Sequence, residues 1–177
     1  NYWEREKNNE ARIKIYFSVT KIFNQIVNRQ VVIIPTYNEE ENILNLYKKI
    51  KQNIKTDILF VDDNSTDKTQ KIIKTLKLKS KNINYIFRPA KLGIGSAHKD
   101  GLKWAYKRKY KIIITMDGDG THDPKYLKNM IKKLDIYDLV ISNRFLNKNS
   151  LKDWPFYRIV LTTIRHYLLL FFLNLKF

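Results

Sequence analysis

Five short apolar, β-branched runs separated by stretches of helical spacing constrain this chain more than any other feature. The runs are Val31 to Ile34, Ile58 to Val61, Ile83 to Phe87, Ile112 to Thr115 and Leu139 to Ile141. Each is too continuous to be a strand with one wet face, so they read as buried parallel strands. Between them lie Glu39 to Asn53, Asp67 to Lys79, Gly95 to Lys109 and Pro124 to Leu134, which carry helical spacing. Strand alternating with helix predicts an α/β fold built on a doubly wound sheet. Asp123 can cap the last of these helices, and Pro124 suits its first position.

A chain of 177 residues has room for one domain of ordinary size, burying roughly 70% of its unfolded surface. With 44% hydrophobic and 29% charged residues it lies in the globular range. Lys and Arg number 34 against 17 Asp and Glu, a net +17, so the surface field favours anionic partners. Nucleic acid, anionic lipid headgroups and phosphorylated small molecules all fit that charge. Many of the lysines fall in runs that solvated helix surface explains equally well, such as Lys71, Lys74, Lys77, Lys79 and Lys81. A nucleic-acid module would need exposed aromatics interleaved with the basic residues, or a groove-reading helix. Neither pattern is present, so no nucleic acid is expected as a partner. The chain contains no cysteine, which excludes disulfides, thiolate metal sites and cysteine nucleophiles.

The two ends differ from the middle. In residues 1–30, Ile15, Val19, Ile22 and Ile26 recur as one apolar stripe among Lys14, Lys21 and Arg29. They predict an N-terminal extension with an amphipathic helix, lying on a membrane surface or packed on the core. Residues 154–177 predict an apolar helical segment at a membrane interface. Trp154, Phe156 and Tyr157 suit an interface, Arg158 and Arg165 suit lipid phosphates, and the run to Phe177 falls short of the ~20 residues of a span. Packing of that segment as an ordinary core helix competes with this reading. The chain is expected to be a piece of a longer one, since it opens on Asn1 and ends inside an apolar run.

In an open α/β sheet, ligands bind outside the carboxyl ends of the strands, where the strand order switches. The residues after each run therefore matter most. Asp117-Gly118-Asp119 follows the fourth run directly. Two carboxylates at i and i+2 of an extended chain lie on one side, about 6–7 Å apart at the backbone. The intervening glycine lets both turn inward to an oxygen-loving cation. The run fails as a calcium EF-hand loop, which wants glycine at its sixth place and Glu at its twelfth; His122 and Lys128 stand there. His122 could be a ligand or a base, and is read first as a histidine bonded to loop backbone. Asp62 and Asp63, being adjacent, point opposite ways: one can build a turn while the other faces the crevice. Gly93-Ile94-Gly95 lacks the third glycine of a dinucleotide fingerprint and reads as a tight loop bringing Arg88 and Lys91 to an anion at a helix N-terminus.

Taken in order, Val32-Ile-Ile-Pro35-Thr-Tyr37-Asn-Glu39, Val61-Asp-Asp63-Asn-Ser, Arg88-Pro-Ala-Lys91-Leu-Gly93-Ile-Gly95, Met116-Asp117-Gly-Asp119-Gly-Thr-His122-Asp-Pro124 and Asn143-Arg144-Phe resemble the family 2 glycosyltransferases. Within them they are most similar to the polyprenol-phosphate (dolichol-phosphate) mannose synthases. The resemblance covers roughly residues 31–157. It implies a GT-A-like (Rossmann-like), mostly parallel sheet with helices on both faces, with a catalytic domain over 31–153.

The resemblance further implies that Pro35, Tyr37 and Glu39 line the nucleotide pocket and that Val61 and Asp63 flank the guanine and ribose. It implies that Asp117, Gly118 and Asp119 meet the diphosphate and a divalent metal, Mg or Mn, and that Arg144 steadies phosphate. Lys91 joins the nucleotide-sugar contacts. The implied reaction is inverting transfer of mannose from GDP-mannose to a polyprenyl phosphate, with UDP-glucose as the alternative donor. His122-Asp123-Pro124 after the carboxylates favours mannose. The implied setting is the cytoplasmic face of a membrane, endoplasmic reticulum in a eukaryote or cell membrane in a prokaryote, with room for small membrane subunits. Two departures stand out. Ser142 and Asn147 to Asn149 occupy places where the family carries glycine, and the family continues past the point where this chain ends.

Overall fold

The computed structural model describes residues 29–142 and 155–173. They fall into two compact units that divide between Asn129 and Met130, described separately below. The first unit is built on four strands: β1 (Gln30–Thr36), β2 (Asp57–Asp62), β3 (Ile83–Phe87) and β4 (Ile112–Thr115). All pair in parallel, in the order β3-β2-β1-β4. Helices α1 (Ile43–Asn53), α2 (Thr69–Lys79) and α3 (Ile94–Lys107) connect them in turn. The chain steps outward from β1 to β2 to β3, then returns past β1 to β4. Since crossovers are right-handed, that reversal puts α3 on the face opposite α1 and α2.

The side chains follow the same division. Val31 and Ile33 of β1 and Leu59 and Val61 of β2 pack with Ala97, Ala105 and Tyr110 on the α3 side. Val32, Ile34, Ile58 and Phe60, also fully buried, point by strand alternation to the other face. There α1 supplies Ile43, Leu46 and Ile50, and α2 supplies Ile73 and Leu76. Each large side chain so buried contributes about 1.5–3 kcal/mol. Gly101 sets how close α3 comes: a Cβ there would lie 2.5 Å from Ile33 Cγ2, so only glycine fits.

The four-strand part of the expected sheet forms, and the fifth strand does not. Leu139 and Ile141 are exposed and carry no strand pairing among the described residues. A three-residue apolar run becomes a strand only when a neighbour offers it a ladder, and sequence pattern does not reveal that neighbour. Burial is continuous in β1 and β2 after their first residues, Gln30 and Asp57. The outer strands β3 and β4 are only partly buried, because each has a ladder partner on one side among the described residues.

After β4 the chain turns at Gly118 and Asp119 and enters a single 3₁₀ turn, Pro124–Tyr126, followed by α4 (Leu127–Lys133). The Asp123 side chain accepts from the Lys125 amide with Pro124 behind it, so the expected cap and first-position proline are both in place. In the second unit α5 (Phe156–Leu173) runs for 18 residues. Phe156, Tyr157, Leu161, Ile164, Tyr167, Leu168 and Phe172 are all exposed along it. Among the described residues no helix is long and apolar enough to cross a membrane. Residues 1–28 of the expected N-terminal extension over 1–30, the Asn143-Arg144 motif and Trp154 lie outside the described residues, while Gln30 already belongs to β1.

Candidate active site

The reversal of strand order falls between β1 and β4, and a cavity of ≈ 380 Å³ opens at the carboxyl ends of these strands. The end of β1 lends it Pro35, Thr36, Tyr37 and Glu39, and the end of β2 lends Asp63. The start of α3 brings Lys91, Gly93, Ile94 and Ala97, and the turn after β4 brings Asp117, Gly118 and Asp119. Its volume suits a small-molecule ligand. Of the expected site residues, the structure gathers Pro35, Tyr37, Glu39, Asp63, Lys91, Asp117, Gly118 and Asp119 around one space. Val61 is not among them: it is fully buried in the core against α3. Arg144 lies outside the described residues. Thr36, Ile94 and Ala97 line the cavity without having been anticipated, because small or apolar residues beside a motif carry no chemical signal of their own.

The ends of β1 and β2 are stitched together by their loops. Asn38, at φ 55, donates its amide to Ser65 Oγ and accepts from the Thr66 amide at Oδ1. The amides of Glu39 and Glu40 donate to Thr69 Oγ1 and Asp67, and the Lys68 amide returns one to Glu40. Beneath them Asp62 is fully buried and accepts from the Thr36 hydroxyl, the Ser65 amide and hydroxyl, and Gln70 Nε2. Asp62 therefore builds the turn, as one member of the pair was expected to do.

Asp63 is also buried, and its carboxylate organises the β3–α3 loop. Oδ1 accepts from Arg88 at 2.7 Å and from the Leu92 amide at 2.9 Å, and Oδ2 accepts from the Gly93 amide at 2.7 Å. Burial pushes the carboxyl up, but the two amides and the guanidinium outweigh it and hold Asp63 below the usual carboxylate range. Arg88 was expected to approach an anionic ligand. It is instead buried, bonded to Asp63, Ser96 Oγ and the Gly93 carbonyl and paired with Asp100 at 3.2 Å. A guanidinium taken out of water needs this many partners. Lys91 stays at the cavity, its ammonium 3.7 Å from the centre of the Tyr37 ring.

The two carboxylates after β4 sit differently. Asp117 keeps 39% of its side-chain exposure, and Asp119 is exposed. They meet in the cavity because the chain turns between them, and not because it is extended as the spacing suggested. Gly118 earns its place by lack of a side chain: a Cβ there would lie 3.1 Å from the Pro35 carbonyl and 3.4 Å from Thr36 Cγ2. Its φ is not positive, so conformational freedom is not the reason. His122 bonds the loop backbone, as expected, its Nδ1 accepting from the Asp117 amide at 3.0 Å.

Among the described residues no group of three or more His, Cys, Asp or Glu could hold a metal alone. The donor set here fits a cation shared with a ligand. Asp119 Oδ2 and both oxygens of Asp117 accept no hydrogen bond among the described residues. One or two carboxylates completed by phosphate oxygens and water is the coordination Mg favours.

The model of glycosyl transferase family 2 matches residues 31–176. The chain belongs to that family. It is 34% identical over 137 residues to a polyprenol monophosphomannose synthase of Mycolicibacterium smegmatis, covering 76% of this chain and 52% of that protein. It is 33% identical to a UDP-N-acetylglucosamine–dolichyl-phosphate N-acetylglucosaminyltransferase of Methanococcus voltae, over 70% of this chain and 55% of the relative. The chain thus spans about half the length of the curated relatives it matches. Among solved structures, a mannosyltransferase of Pyrobaculum calidifontis in complex with GDP-mannose and Mn²⁺ superposes with a TM-score of 0.55. At 22% identity, over 70% of this chain and 38% of that one, it shares the fold.

Proposed function

We propose that this family 2 glycosyltransferase transfers mannose from GDP-mannose to a polyprenyl phosphate at a membrane surface, with inversion. The observation that carries the reading is the switch-point cavity, where Asp117 and Asp119 face the strand ends that bear Pro35, Tyr37, Glu39 and Asp63. The two relatives named above differ in the sugar their names give and agree on a lipid phosphate as acceptor, which supports the acceptor class first. Tyr37 and Lys91 offer a ring and a cation to the nucleotide. Asp63 Oδ2 accepts a single hydrogen bond, which leaves it capacity to accept from a base or ribose.

Asp117 and Asp119 would hold Mg or Mn together with the donor diphosphate, Gly118 giving that group room beside the Pro35 carbonyl. The cation, when bound, offsets charge on the departing diphosphate. A phosphate monoester is already largely ionised near neutral pH, with a second pKa of about 6. The acceptor therefore needs no general base, and the residues around the cavity act by positioning. Arg144 is assigned to the donor phosphates on the motif resemblance. In the second unit, the exposed aromatic and aliphatic side chains of α5, with Arg165 among them, suit a helix lying in the headgroup region.

Radiolabelled transfer to a lipid phosphate, from GDP-mannose, UDP-glucose and UDP-N-acetylglucosamine in parallel, with and without EDTA, tests the reading. Transfer from GDP-mannose that EDTA abolishes is the expected result. Preferred transfer from a UDP-sugar would move the chain to the second donor class, which the Methanococcus relative represents.

A further inference from the structure

The turn after β4 anchors the carboxylate of Asp119 and the backbone of Asp117. Asp119 Oδ1 accepts from both the amide and the hydroxyl of Thr121, at 3.0 and 2.8 Å. The Asp117 amide donates to His122 Nδ1 at 3.0 Å. Two consequences follow from donor and acceptor chemistry alone. A neutral imidazole whose Nδ1 accepts carries its proton on Nε2. In that tautomer the 3.8 Å approach of His122 Nδ1 to Asp117 Oδ2 brings two lone-pair atoms near each other and is not an ion pair. Thr121, for its part, occupies one oxygen of Asp119 and leaves the other to the cavity.

We propose that Thr121 and His122 are positioning residues that preset the two carboxylates for a divalent cation. Thr121 acts by anchoring one oxygen of Asp119. His122 acts through Nδ1 on the Asp117 backbone, and not through Nε2 as a cation ligand or proton carrier. This inference rests on the assignment of Asp117 and Asp119 to the cation. Groups that orient metal-binding side chains typically change affinity 10- to 100-fold when lost, so the effect is measurable without turnover. Asp117 and Asp119 stand at the mouth of a solvent-accessible cavity, and few other contacts among the described residues fix them. The two bonds from Thr121 limit the rotamers of Asp119, and the bond from the Asp117 amide to His122 fixes the backbone from which the Asp117 side chain projects.

The test uses Mn²⁺ binding to the full chain in the presence of GDP, followed by the electron spin resonance of free Mn²⁺, with thermal unfolding measured on every variant. Asparagine places an amide oxygen where His122 Nδ1 stands, whereas glutamine reaches the position of Nε2. His122→Asn is expected to bind within about threefold of the native chain, and His122→Gln to weaken binding about 10- to 100-fold. Thr121→Ser is expected to retain affinity and Thr121→Val to lose about tenfold. Binding restored by Gln and not by Asn would overturn the Nδ1 assignment and make Nε2 the working atom. Native affinity in both Thr121→Val and His122→Gln would overturn the positioning role altogether. Asp117→Ala and Asp119→Ala separate the two levels: if these also bind Mn²⁺ as the native chain does, the cation assignment itself has failed.

Discussion

At the end of β2, Asp62 and Asp63 are both buried and every oxygen of the pair accepts at least one hydrogen bond. At the end of β4, Asp117 and Asp119 are half-exposed and exposed, and only one of their four oxygens accepts a bond among the described residues. The residue type, the strand-end setting and the sheet edge are the same in both places. What differs is how much acceptor capacity the fold has already used. A buried carboxylate must be saturated, since each missing partner costs about 1–3 kcal/mol. One left open at a cavity mouth remains solvated until a ligand arrives. The fold thus uses most of the acceptor capacity at the β2 end and leaves most of it open at the β4 end.

The sharpest break of this contrast is Asp119→Ala. Transfer is expected to fall on the order of 10³-fold, about 4 kcal/mol of lost charge stabilisation. The melting temperature should stay within about 2 °C of the native chain, because no core contact is lost. Calorimetry and radiolabelled turnover on the same preparation decide it; sustained turnover would remove Asp119 from the chemistry.

The converse is expected at the β2 end. Asp63→Ala strands a buried Arg88 and should cost about 3–5 kcal/mol in denaturant unfolding, with donor affinity lost as well. A small stability change there would erase the distinction between the two loops. Asp62→Ala comes next, at about 1–3 kcal/mol, because the buried Thr36 hydroxyl and the partly buried donors of Ser65 and Gln70 lose their acceptor. It should leave the donor affinity of the folded fraction close to native. Gly118→Ala is smaller, about 1 kcal/mol of crowding against the Pro35 carbonyl, and should read out as weakened donor binding before any change in melting temperature.

Acid gives the most gradual readout. Despite burial, amide and hydroxyl donors hold Asp67 below the usual carboxylate range, as amides and Arg88 hold Asp63. A folded-state value below the unfolded one means stability that is present above about pH 4 and lost as the pH falls through the folded value. Unfolding followed from pH 6 downward should show this loss in the native chain and less of it in Asp63→Asn.

Four strands, three crossover helices and the capped turn at Asp123 were legible because each rests on local chemistry: continuous β-branched runs, helical spacing, and an Asp-Pro start. The carboxylate pair after β4 and the backbone role of His122 were legible for the same reason, since both follow from residue type and short spacing. The tertiary structure decided the rest. Leu139 to Ile141 make no strand because no ladder partner stands beside them among the described residues, and Val61 leaves the cavity for the core because of which face of β2 meets α3. Whether a strand-end carboxylate or guanidinium is used by the fold, like Asp62 and Arg88, or left open at the cavity, like Asp117, depends in part on partners distant in the chain, such as Thr36 for Asp62 and Asp63 for Arg88. Hydrogen-bond saturation and burial are properties of neighbours in space, and only the folded chain brings those neighbours together.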